Sequence, residues 1–168
     1  MSNHTDARNW FQMALADVPR VERSFNAGDF ADVAYRIQFC SEKIIKGILL
    51  MYGVQFKKFH EASTILHDEI LSNPAIDTIE SQILNEIVNQ GISIETLSTS
   101  PRYGNVIAGQ FTLPEDLFNA ENIKEYTIQL IDEIGALITL LDQKSPPELL
   151  DIKEAFMNAR DSLRSLVD

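Results

Sequence analysis

"DFADVAYRIQFCSEKIIKGILLMYG", residues 29–53, is the stretch that decides the fold. Val33, Ile37, Cys40, Ile44, Ile48 and Met51 recur at spacings of three and four, the period of a helix that buries one face. Asp29 can cap this helix, and Gly53 can end it in a left-handed turn. Projected at about 100° per residue, Arg36, Lys43 and Lys46 fall beside the apolar stripe. Their plainest role is at the boundary, with stems on the core and charged heads in water.

The same period runs outward in both directions, and no alternating strand pattern stands out. A first helix is expected over residues 5–26, with Trp10, Ala14, Val18, Val21 and Phe25 on one face. Pro19 should kink or break it near Leu15. A third helix is expected over 60–71. A fourth should open on Pro74, reach towards Asn89 and resume through Ser98 after Gly91. Residues 98–116, "STSPRYGNVIAGQFTLPED", carry two prolines and two glycines and read as an extended non-helical region. Loops that long inside a compact domain are uncommon and often functional. A fifth helix is expected over 121–141, striped with Ile123, Tyr126, Leu130, Ile134, Leu137 and Leu141. Pro146 and Pro147 open a last one, with Leu149, Ile152, Phe156, Ala159, Leu163 and Leu166 along a narrow seam. That seam must be covered by the bundle or by another chain. The fold class is all-α, an antiparallel bundle of about five helices plus an extra C-terminal helix.

The chain has 168 residues, the size of one domain, and a formal net charge of -11. Such a surface repels duplex DNA and anionic membrane unless basic residues gather on one face. The single cysteine, Cys40, excludes an intramolecular disulfide and every multi-cysteine metal site. The first residues, "MSNHTDARNW", lack the pattern of a secretory signal, and the longest apolar run is too short to span a bilayer. A cytoplasmic location is expected. "HEAS" at His60 lacks the second histidine of a zinc-protease helix, and there is no Glu-x-x-His pair and no Gly-Lys-Ser/Thr phosphate loop. No cofactor or metal is expected.

The order of segments, from "NAGDFADVAYRIQFCSEKIIKGILLMYGV" to "KKFHEASTILHDEI", resembles the HEPN domain over residues 6–142, leaving 146–168 as an additional helix. The family's second helix carries a Glu-Lys pair, a second Lys three residues on, and a Gly. Here these are Glu42, Lys43, Lys46 and Gly53. A histidine starts the next helix, here His60. Many members place Arg-Tyr-Pro before the last domain helix, and "SPRYGN" supplies Arg102 and Tyr103, with Gly104 in place of the proline. The resemblance implies a homodimer and a small cationic groove suited to phosphate. Its candidate ligand-binding residues are Arg36, Lys43, Lys46, His60, Arg102 and Tyr103. Alternatively, Glu42 and Lys46 simply pair on the helix surface at i,i+4.

Many HEPN proteins are metal-independent ribonucleases whose signature is an Arg, a spacer of roughly four to six residues, and a His. None of His4, His60 and His67 follows an arginine at that spacing, and Arg102 is followed by "YGNVIAGQF". Cleavage through a 2'-hydroxyl needs a group that moves protons near neutral pH. No catalytic residue is therefore assigned. The expected function is a non-catalytic, dimeric binding module for a nucleotide or phosphate, acting with a minimal nucleotidyltransferase in trans. The alternatives are a divergent, toxin-type ribonuclease using Arg102 and a structural homodimer with no ligand.

Overall fold

The computed structural model describes residues 3–56 and 61–168. Helix α1 (His4–Ala27) starts where the Asn3 side chain accepts the Asp6 amide. It ends at Gly28, whose φ of 73° lets the amides of Gly28 and Asp29 turn back onto the carbonyls of Phe25 and Ser24. The expected break at Leu15 does not occur, and α1 runs unbroken through Pro19. Pro19 is on the exposed side, where a carbonyl that loses its amide partner can meet water.

Helix α2 (Phe30–Met51) is capped by the Asp29 carboxylate, which accepts the Asp32 amide at 3.1 Å. It stops at Gly53, φ 79°, with the amides of Gly53 and Val54 returning to Leu50 and Leu49. Val33, Ile37, Cys40, Ile44 and Ile48 are fully buried, as the opening stretch requires. The two-residue turn sends α2 back along α1. Phe11 of α1 lies against Gly47 of α2, where a Cβ would come within 2.4 Å of the ring.

Helix α3 (Ala62–Leu66) passes directly into a π-helical turn, His67–Leu71. Helix α4 (Thr78–Glu95) then opens on Asp77, whose carboxylate accepts the Glu80 amide at 2.9 Å. Pro74 thus stands in the preceding turn and not in the first helical turn, because Asp77 offers the capping acceptor that a proline lacks. Gly91 does not interrupt α4. Its missing side chain admits Ile45 and the Ser63 hydroxyl.

Residues 98–116 are ordered into short elements and are not a plain loop. They comprise α5 (Ser100–Tyr103), a hairpin of β1 (Asn105–Ile107) and β2 (Gln110–Thr112), and α6 (Pro114–Leu117). The strands are antiparallel, with Val106 opposite Phe111, and turn through Ala108 and Gly109 at φ 50° and 80°. Such a pair of positive φ values is what a two-residue hairpin turn requires.

Helix α7 (Ala120–Lys144) begins with a reciprocal capping box between Asn119 and Asn122. A 3-10 turn (Pro147–Leu149) leads into α8 (Leu150–Val167). Helix α8 packs on α1 and α7, with Phe156 edge-on to Phe11 at 5.9 Å. Arg8 of α1 grips Asp151 through both nitrogens. The seam expected to need a cover is therefore covered by the chain's own helices, and one core runs through α1, α2, α4, α7 and α8. Among the described residues, no helix is long and apolar enough to cross a membrane, and no group of three or more His, Cys, Asp or Glu could hold a metal ion.

Candidate functional site

A pocket of about 220 Å3 opens between α2, Glu61, the end of α4 and α5. Tyr35 and Phe39, one helical turn apart on α2, form its aromatic wall, with ring centres 4.6 Å apart. Gln38 and Glu42 extend that wall, and Glu95, Ser98, Thr99 and Arg102 face it from the other side. Ser98, in the turn between α4 and α5, has a φ of 49°, a left-handed backbone that costs a non-glycine residue about 1–2 kcal/mol. That turn redirects the chain so that the single turn of α5 presents Arg102 to the pocket.

The Arg102 guanidinium lies 5.2 Å from the centre of the Tyr35 ring and 5.1 Å from that of Tyr103. Arg36 lies 5.3 Å from the same Tyr35 ring and 3.4 Å from the Asp32 carboxylate. Each guanidinium thus lies against the Tyr35 ring, where cation–π attraction holds it while leaving N–H donors for an anion. Tyr103 flanks Arg102 and is largely exposed.

The two lysines point elsewhere. Lys43 reaches across to α1, where it pairs with the buried Asp17 carboxylate that Arg20 also holds at 2.8 Å. Lys46 pairs with Glu42, four residues back. Its side chain is only 8% exposed, and its ammonium sits 5.0 Å from the Trp10 ring and 5.8 Å from Phe56. The head that was expected in water is enclosed by aromatic faces. His60 lies outside the described residues. His4 meets Glu148 at 3.3 Å and His67 meets Asp68 at 2.9 Å, and neither lines this pocket. Of the residues singled out from sequence, the structure brings Arg36, Arg102 and Tyr103 together and directs Lys43 and Lys46 to Asp17 and Glu42.

The acidic members set the pocket's electrostatics. Glu95 accepts the Ser63 amide at 2.9 Å, yet burial, aided by the charges of Glu42 and Glu61, holds its carboxyl above the usual range. Deeper in the core, burial pushes Glu133 of α7 up to about 8, with Glu95 adding to the effect and the Ser41 hydroxyl opposing it. Neither Glu133 carboxyl oxygen completes a hydrogen bond. Among the described lining residues Arg102 is the one cation, in a lining shared with Glu42, Glu61 and Glu95. No described lining residue is a histidine, the usual proton carrier near neutral pH. Tyr35, Gln38, Glu95, Ser98 and Thr99 were not picked out from sequence. The Tyr35–Phe39 spacing around Arg36 was the one available signal.

A family model described as HEPN domain matches residues 7–137. A Methanocaldococcus jannaschii protein named "Putative toxin MJ1304" is 24% identical over 119 residues, covering 71% of this chain and 77% of that protein. No solved structure matches the chain.

Proposed function

This chain belongs to the HEPN domain family, and from that premise we propose that it is a non-catalytic, dimeric binding module for a mononucleotide. The observation that carries the reading is the placing of Arg36 and Arg102 each against the Tyr35 ring, part of the aromatic wall of the pocket that Arg102 lines. The guanidiniums hold the phosphate through charge-assisted hydrogen bonds, and the rings stack the base. The lining carboxylates accept hydrogen bonds from base and sugar and disfavour additional phosphates. In this reading the pocket binds and positions its ligand, and no histidine stands among its described lining residues. A minimal nucleotidyltransferase acting in trans is the partner such a module serves, and recovery of one in stoichiometric amount with the tagged protein tests that part.

Titration calorimetry with nucleoside monophosphates tests the pocket. Arg102→Ala should weaken binding by at least tenfold, in line with about 1.5–3 kcal/mol for a hydrogen bond to a charged group, while thermal unfolding stays cooperative. Failure of the wild-type protein to bind any monophosphate sinks the proposal.

A second reading is a divergent, toxin-type ribonuclease using Arg102, and the name of the archaeal relative favours it. It requires cleavage of single-stranded RNA by the wild-type chain and loss of that cleavage in Arg102→Ala.

A further inference from the structure

We propose that the β1–β2 hairpin is an apolar arm through which two copies of this chain associate. The inference rests on the dimeric reading above and names the surface that carries it. Both strands stand clear of the core, with Val106 63%, Phe111 60% and Ile107 52% exposed. Val106 and Phe111 are cross-strand partners and share one face, whereas Ile107 points to the other. Tyr103 and Leu113, also exposed, flank the strands. Neither face is covered by the chain's own helices.

A two-stranded hairpin of this kind is marginal in water. This one also turns through Ala108 at φ 50°, a backbone that a non-glycine residue adopts at a cost. Its formation calls for a contact that the bundle does not supply. Five exposed apolar side chains, Tyr103, Val106, Ile107, Phe111 and Leu113, gather on this one short segment, and apolar patches on a monomer's surface are often functional. A standard interface buries about 800 Å2 on each partner, so the arm forms the centre of the proposed contact and adjoining surface completes it.

Charge selects a second copy as the occupant. The chain carries a net charge of -11, so most ways of bringing two copies together set like charges against each other. No charged residue lies between Arg102 and Glu115, the longest uncharged interval in the sequence. Arm against arm is therefore the approach with least repulsion, and an uncharged arm offers nothing for a charged partner to recognise. Each strand has a neighbour on one side only. Two identical free edges related by a two-fold axis can pair antiparallel, extending the sheet to four strands across the interface.

Sedimentation equilibrium of the full chain tests this. Wild type should be a dimer. Val106→Asp and Phe111→Asp should each weaken dimerisation at least a hundredfold without changing the helical circular dichroism, because neither side chain packs in the core. Ile92→Asp, at an exposed apolar position on α4, should leave the dimer intact. Val106→Cys should form a disulfide between copies under mild oxidation, a gain of signal that does not depend on loss of stability. A wild-type monomer overturns both this inference and the dimeric reading. A wild-type dimer that survives both aspartate substitutions and forms no such disulfide overturns the arm alone.

Discussion

Glu133 illustrates what a single buried carboxyl does to this molecule. Burial raises its folded value to about 8, while in the unfolded chain it titrates near its ordinary 4.5. Between these values the folded state keeps a proton that the unfolded state has released. Stability from this group is therefore complete below about 4.5 and declines as pH rises, by about 1.4 kcal/mol per unit, until the folded carboxyl also ionises. Glu133→Gln should raise the melting temperature at pH 8 and change it much less at pH 5, as thermal scans at the two pH values would check. Equal effects at both would mean that Glu133 is ionised in the folded protein. Lys46 marks a limit of sequence at this scale. Its place beside the apolar stripe was legible, but its burial was not, because Trp10 and Phe56 come to it from distant parts of the chain.

At the scale of elements, the best-read features were those whose cause is local. Asp29 and Gly53 mark the ends of α2 because a side-chain acceptor and a left-handed turn are properties of those residues alone. Asp77 is an equally good cap, yet Pro74 drew attention first, and α4 begins four residues later than a proline-led start implies. The hairpin was invisible as strand because both its faces are exposed, so no alternation of polar and apolar residues exists to be read. The α1–α2 contact depends on Gly47. Since the Phe11 ring is fully buried and cannot retreat, Gly47→Ala should destabilise the protein by about 1–3 kcal/mol, a typical cost of overpacking. Denaturant melts would read this directly. A neutral or stabilising effect, as helix propensity alone would give, would show that the two helices can part without penalty.

For the whole molecule, the all-α bundle was legible because helical periodicity runs through nearly every segment, and the HEPN pattern followed from the order of segments. At the candidate site, Arg36 was singled out by helix projection and Arg102 and Tyr103 by the family's Arg-Tyr motif, whereas a groove that also included Lys43 and Lys46 presupposed free lysines, and Asp17 and Glu42 engage both. The opposite wall of the pocket comes from α4 and Ser98, which are remote in sequence and meet α2 only in the folded chain. The measurement that tests this site most directly is amide chemical-shift mapping of the full chain during titration with a nucleoside monophosphate. Saturable shifts clustered at Tyr35, Phe39, Ser98, Thr99 and Arg102, and absent in Arg102→Ala, are the expected result. Saturable shifts confined to another surface, or none at millimolar ligand, would contradict it.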